Sequence, residues 1–99
     1  MQTSEEIVIE LLQGSNSIPV KLRNKEDVQK DYKLLLNEID ILKKKYKGKN
    51  EISKKLSYSF LDISNYFIVS DKIYTTKELE LIEDMKDRLY EKLVEFYEM

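Results

Sequence analysis

Apolar residues recur every three or four positions along most of the chain, which is the period of one face of an α-helix. Four series of this kind follow one another: Ile7, Val8, Leu11 and Leu12; Val28, Tyr32, Leu35, Ile39, Leu42 and Tyr46; Ile52, Leu56, Phe60, Ile63 and Phe67; and Leu79, Ile82, Leu89, Leu93 and Phe96. The alternation typical of a strand does not explain these spacings. The pattern predicts four amphipathic helices, at approximately residues 4–13, 25–47, 51–69 and 76–97.

Residue types that favour helix ends stand at the predicted boundaries. Side-chain oxygens that can accept a hydrogen bond from a free backbone N–H identify the candidate N-caps, which are Thr3 or Ser4, Asn24, Asn50 and Thr75. Thr75 is followed three positions later by Glu78, which is the spacing of a capping box. Glycines at positions 14 and 48 are suited to end the first and second helices.

The connection between the first two helices contains the only proline of the chain, Pro19. A proline cannot continue a helix that is already under way, because it lacks the N–H and its ring displaces the preceding turn. We therefore predict a non-helical connection at residues 15–23. Ile18, Val20 and Leu22 are expected to hold this connection against the core.

The stretch NYFIVSDKIYTTKELE, residues 65–80, is compatible with two structures. Two short apolar runs on either side of Ser70 and Asp71 resemble a β-hairpin. The same residues can instead form the end of one helix, a short link and the capped start of another. The helical period that leads into this stretch and the capping box that follows it favour a helical corner.

Four amphipathic helices joined by short links predict an all-α protein. The most economical arrangement is an antiparallel four-helix bundle, and 99 residues fit a single domain spanning residues 1–99. A many-stranded β fold needs many tight turns, and the chain has only two glycines and one proline to form them.

Composition excludes much of enzyme chemistry. The chain contains no histidine and no cysteine, so the common zinc sites and activated nucleophiles cannot form. No glycine-rich phosphate loop is present, and the acidic residues of the last predicted helix share one sector, as a solvated face does. We predict no catalytic residue, no cofactor and no metal site, and therefore a protein that is not an enzyme.

The N-terminal segment lacks the features of an export signal. Glu5 and Glu6 stand where a signal peptide carries Lys or Arg, and Glu10 interrupts a short apolar run. This run is also too short to span a membrane. We expect a cytoplasmic protein.

Charge is distributed unevenly, with a basic middle and an acidic C-terminal half. The most concentrated basic run is KKKYKGK, which contributes Lys43, Lys44, Lys45, Lys47 and Lys49. Lysines suit the C-terminal end of a helix and keep a loop solvated. They can equally contact a polyanion or an anionic membrane surface. Neither interpretation is excluded by the sequence, although no motif supports binding to nucleic acid.

Two apolar stretches exceed what a simple bundle core requires. Residues 56–70 contain one charged residue, Asp62, and residues 90–99 carry Tyr90, Val94 and Tyr97 together with Met99. Either these residues are covered by neighbouring helices or they form an exposed surface that binds a partner. Aromatic residues dominate many interfaces, and the candidate contact residues are Tyr66, Tyr90, Phe96 and Tyr97.

Three blocks of the sequence carry a family resemblance: EEIVIELL, VQKDYKLLLNEIDILKKKY and above all LSYSFLDISNYFIVSDKIYTTKELELIEDM. Through these blocks the chain resembles the immunity proteins of the enterocin A type, which protect lactic acid bacteria and streptococci from pediocin-like (class IIa) bacteriocins. In the last block an aromatic-rich helix is followed by a short link, a threonine cap and an acidic amphipathic helix.

This resemblance implies an antiparallel four-helix bundle that acts inside the cell by binding. The expected partner is the mannose phosphotransferase permease with its bound bacteriocin. Independently of the resemblance, the lysines of residues 43–49 are expected to make a peripheral contact with the anionic inner leaflet. The C-terminal half of the family is associated with the choice of bacteriocin. A monomer is expected, with no nucleic acid as partner.

Two other functions compete with immunity. The first is a generic helical adaptor or a partner in a toxin–antitoxin pair. The second, supported only by the basic run, is a nucleic-acid-binding regulator.

Overall fold

The computed structural model describes residues 2–49 and 51–98, and all regular structure in these residues is helical. The all-α class predicted from the sequence is confirmed. Six helical segments follow one another: α1 (Ser4–Gln13), α2 (Ile18–Arg23), α3 (Gln29–Tyr46), α4 (Lys54–Leu61), α5 (Ile63–Tyr66) and α6 (Thr76–Tyr97). Among the described residues, no helix has both the length and the apolar character needed to cross a bilayer.

The first connection is helical, in contrast to the prediction for residues 15–23. The Ser17 hydroxyl accepts a hydrogen bond from the backbone N–H of Val20 and caps α2, with Pro19 in the first turn. The backbone N–H groups of a first turn have no partner within the helix, so the missing N–H of Pro19 costs nothing there. Ile18 and Leu22 are buried, as expected for a connection held against the core.

Helix α3 begins four residues later than the predicted start at residue 25. Asn24 ends α2 and does not cap α3. The next residue, Lys25, has a φ of 56°, which is incompatible with a continuing right-handed helix. Asp27 accepts a hydrogen bond from the Gln29 N–H at 2.9 Å, so an aspartate carboxylate satisfies one of the free donors at this helix start. The other end of α3 follows the prediction, since the helix stops at Tyr46, two residues before Gly48.

The predicted third helix, residues 51–69, is shorter and is divided. The Ser53 hydroxyl caps α4 by accepting from the Leu56 N–H at 3.3 Å, and Asn50 lies outside the described residues. Asp62 leaves the helical backbone region, and its carboxylate accepts a hydrogen bond from the Asn65 side chain. Short polar side chains that bond locally in this way compete with helix continuation. The break separates α4 from α5, and α5 ends at Tyr66.

Residues 67–75 form the helical corner, and the described part of the chain contains no strand, so the hairpin alternative is wrong. The Thr75 hydroxyl accepts from the Glu78 N–H at 3.1 Å, and the Glu78 carboxylate accepts from the Thr75 N–H at 2.9 Å. The predicted capping box is confirmed. Hydrogen bonding from the Thr75 backbone lowers the pKa of Glu78. The buried Tyr74 hydroxyl donates to the Leu22 carbonyl at 2.6 Å and ties the corner to α2.

Thr75→Ala is expected to lower the free energy of unfolding by about 1 kcal/mol, because it removes the N-cap of the longest helix. Chemical denaturation at neutral pH measures the change. Thr76→Ala is the matched control, since Thr76 is the first residue inside the helix and its hydroxyl does not serve as the cap. Equal losses at the two positions would contradict a role for the Thr75 hydroxyl.

One hydrophobic core joins all six segments. It consists of Val8, Leu11, Leu12, Ile18, Leu22, Val28, Tyr32, Leu35, Ile39, Leu42, Leu56, Phe60, Ile63, Phe67, Tyr74, Ile82, Leu89, Leu93 and Phe96. All four apolar series predicted from the sequence contribute to it, so the helical period identified the buried faces correctly. Ile7, Tyr46, Ile52 and Leu79 from the same series are partly buried against this core.

Contacts between helices fix the relative directions of α3 and α6. The Tyr32 hydroxyl donates to the Met85 carbonyl at 2.8 Å, and the Tyr46 and Phe96 rings meet farther along both helices with centroids 5.9 Å apart. The two helices therefore run in the same direction. The Tyr46 hydroxyl also donates to the Glu5 carboxylate at 3.1 Å, which places the start of α1 beside the end of α3.

Candidate partner-binding groove

An open, mainly apolar groove lies between α4–α5 and the C-terminal half of α6. Its volume is about 560 Å³. Its principal lining residues are Phe60, Leu61, Tyr90, Leu93, Val94 and Tyr97. The sides of the groove come from two helical arms that run in opposite directions, because Phe60 meets Tyr97 at one end whereas Phe67 and Ile82 share a recess nearer the corner.

The groove combines a buried floor with exposed apolar walls. Phe60 and Leu93 belong to the core, whereas Leu61 is 80% exposed, Tyr90 56% and Tyr97 55%. Single exposed apolar residues are ordinary on protein surfaces. Several that share one concave surface are typical of an interaction site.

A cluster of aromatic rings supports one end of the groove. Phe96 contacts Tyr46, Phe60 and Tyr97 in edge-to-face geometry, with centroids 5.9, 5.9 and 5.2 Å apart. The Tyr97 hydroxyl lies 3.3 Å from the Ser57 hydroxyl on α4. These contacts hold the Tyr97 ring in place, so little conformational freedom remains to be lost when a partner binds.

The structure brings together two of the four predicted contact residues, Tyr90 and Tyr97, on one wall of the groove. Phe96 is 4% exposed and lies in the core, so it supports Tyr97 and is not available to a partner. The physical reason is its helical position, since Phe96 continues the buried series of Leu89 and Leu93 at steps of four and three. Phe96 is thereby removed from the set of surface contacts.

Tyr66 does not line the groove. It is partly buried, and its hydroxyl accepts a hydrogen bond from the Gln13 side chain at 3.0 Å. Burial raises the pKa of Tyr66. The residue therefore joins α5 to the end of α1, and its role in binding stays a prediction.

Leu61, like Val94, is an exposed groove residue that the candidate set lacked. It belongs to the apolar stretch of residues 56–70, and it lies seven positions before Ile68 on the side away from the core series. The low charge of that stretch was the available signal. Leu61 is the last residue of α4, just before the break at Asp62, and it is largely exposed.

The charged residues that line the groove and the recess beside it on α6 are acidic, whereas the recess nearer the corner contains the ion pair between Lys86 and Glu83. A second recess, on the outer side of α6, shares Tyr90 and Val94 with the groove. The charged residues that line the two recesses are Asp87, Glu91, Glu95 and Glu98. The surface around the exposed tyrosines is therefore apolar with an acidic border.

The five lysines of the basic run do not share one environment. Lys43 lies 3.6 Å from the Glu95 carboxylate on α6, which partly neutralises it. Lys44, Lys45, Lys47 and Lys49 are exposed, and the Lys45 ammonium lies 5.6 Å from the centre of the Tyr46 ring. Four lysines therefore remain at the end of α3 for contact with an anionic surface.

Across residues 2–49 and 51–98, no three carboxylate side chains converge in a way that would hold a metal ion. The acidic residues of α6 instead lie on its exposed side.

The chain matches no protein-family model, no curated protein and no solved structure. The resemblance to the enterocin A-type immunity proteins therefore rests on the sequence blocks given above, and the function that it implies is a proposal.

Proposed function

We propose that the protein is a cytoplasmic bacteriocin immunity protein, with its helices arranged as an antiparallel four-helix bundle, that protects the cell from a pediocin-like pore-forming peptide. The observation that carries the proposal is the apolar groove with Tyr90 and Tyr97 on its wall. A preformed apolar surface of this kind is suited to binding a partner. The groove also lies in the C-terminal half, which in the family it resembles is associated with the choice of bacteriocin.

The proposed partner is the mannose phosphotransferase permease with bacteriocin bound to it. Protection requires that the protein bind the closed or plugged state of this complex more tightly than the open pore. The difference between the two affinities sets how far the equilibrium moves toward the closed state. A groove held in shape by the aromatic cluster favours one arrangement of the partner over another.

The exposed lysines at the end of α3 support a peripheral contact with the membrane. Lys44, Lys45, Lys47 and Lys49 are exposed, and each contributes at most ~1 kcal/mol of attraction to an anionic leaflet. Such a contact would keep a monomeric protein close to its receptor without insertion.

Expression in a bacteriocin-sensitive strain tests the proposal. Cells that produce the protein are challenged with a panel of pediocin-like peptides, and we expect at least one peptide to lose potency by about tenfold or more, as expected for coupling of more than about 1.4 kcal/mol. The permease should co-purify with the protein only after that peptide is added. If every peptide in the panel retains full potency, the immunity proposal is overturned.

The same groove would serve a helical adaptor or a toxin–antitoxin partner. The co-purification experiment separates these functions from immunity. A co-encoded protein that is recovered without any bacteriocin, together with an unprotected strain, would assign the groove to that partner.

A further inference from the structure

The shape of the groove is suited to binding a helix. Its α6 wall presents Tyr90, Val94 and Tyr97 at steps of four and three, a length of about 10 Å or two helical turns. Both walls are helical, so their backbone hydrogen-bonding groups are largely satisfied within α4 and α6. An extended segment would find no strand edge to pair with, whereas the apolar face of a helix can fill the space between two helices.

The border of the groove selects the charge of that helix. The groove and the adjoining recess are lined by four acidic residues and no basic one. Of these, Glu95 lies near Lys43, whereas Asp87, Glu91 and Glu98 are exposed. The nearby Lys92 turns toward α3, where its ammonium donates to the Asp40 carboxylate at 2.8 Å.

We infer that the groove binds an amphipathic helix of a partner protein whose apolar stripe is bordered by lysine or arginine. This inference rests on the proposed function only in that the protein acts by binding. The apolar stripe would cover Leu61, Tyr90 and Tyr97, and the basic border would lie against Asp87 and Glu91. Complementary charge raises the association rate and excludes helices with acidic borders.

Two designed peptides test the inference with the full-length protein. Each has about 18 residues so that a helix can form, and both carry the same leucine stripe. One is bordered by lysine and the other by glutamate. In a fluorescence titration at low ionic strength, we expect the lysine peptide to bind at least about tenfold more tightly than the glutamate peptide, and added salt to reduce that difference.

A matched pair of variants locates the binding site. Asp87→Asn/Glu91→Gln removes two negative charges from the recess that adjoins the groove. Glu80→Gln/Asp84→Asn removes one aspartate and one glutamate charge at the same spacing, seven residues earlier on α6, where neither residue lines the groove or that recess. Because each pair removes two charges, non-specific attraction weakens equally in both. We expect the first pair to weaken binding of the lysine peptide about five- to tenfold and the second to change it less than about twofold.

Several results would overturn the inference. Equal binding of the two peptides would contradict selection by charge. Equal weakening of binding by the two variant pairs would contradict the location of the binding site at the groove. Sedimentation as a dimer that dissociates on Tyr90→Ala would make a second copy of the chain the occupant. If cells are protected but the lysine peptide does not bind, the immunity function stands and the helix-binding inference is wrong. If the lysine peptide binds but cells are not protected, the helix-binding inference stands and the immunity proposal is wrong.

Discussion

Leu35→Ala is expected to lower the free energy of unfolding by about 3 kcal/mol. Leu35 lies in the middle of α3 with none of its surface exposed, in the series that runs from Val28 to Tyr46. Truncation removes the transfer free energy of the buried side chain and leaves a cavity, because close-packed neighbours relax only in part. Urea denaturation should show a lower midpoint with an unchanged slope.

The chain supplies a matched control at the preceding position. Leu34 is the same residue type in the same helix, but it is 41% exposed. Leu34→Ala is expected to change the free energy of unfolding by only about 0.5 kcal/mol. The two leucines are about 100° apart around the helix axis. A loss at position 34 equal to that at position 35 would contradict the assignment of the core face of α3.

The contrast between these leucines explains why so much of the fold was predictable from sequence. Burial of one helix face imposes its period on the sequence, so the apolar series alone are enough to predict the core residues. The capping box at Thr75 was equally visible, because it depends on two side chains three residues apart. Features such as this capping box can be predicted from a few consecutive residues, because they depend only on side chains that are close in the sequence.

The boundaries that differ depend on choices between two local structures of similar free energy. Pro19 excludes the interior of a helix but suits its first turn, and the Ser17 cap decides for the helix. Asp62 can lie on a solvated helix face or bond its own neighbour Asn65, and the structure has the latter. In both cases a local side-chain hydrogen bond stabilises the structure that forms, and the sequence pattern alone leaves both options open.

The groove itself could be anticipated only in part. The excess of apolar residues in the C-terminal half indicated an exposed surface, and Tyr90 and Tyr97 lie on it. Its shape, however, depends on the distance between α4 and α6, which the packed rings of Phe60 and Phe96 help to set. Phe96 packs against both Phe60 and Tyr46, and this packing leaves its ring too deeply buried to contact a partner.

Tyr90→Ala/Tyr97→Ala is expected to abolish protection in the sensitive strain. Removal of a dominant aromatic contact typically costs about 2 kcal/mol or more at an interface. Two such losses, added together, correspond to an affinity reduced by about 1000-fold. Growth inhibition by the bacteriocin to which the wild-type protein gives resistance is the measurement, with the cellular level of both proteins compared by immunoblotting.

Folding of this variant must be separated from binding, because Tyr97 also contacts Phe60 and Phe96. Loss of these edge-to-face contacts costs about 1 kcal/mol of stability for each pair, which the urea midpoint will reveal. Tyr97→Phe retains the ring and should retain protection. Tyr58→Ala is the matched control, since Tyr58 is 66% exposed on α4 and does not line the groove.

The pattern across these variants decides what the groove does. If the folded double variant loses protection while Tyr58→Ala and Tyr97→Phe keep it, the apolar surface between α4 and α6 binds the partner. If the folded double variant protects as well as the wild type, the two tyrosines have no part in binding. Tyr66 and the exposed lysines at the end of α3 would then be the remaining candidate contacts, and charge reversal at Lys44 and Lys45 would test the lysines directly.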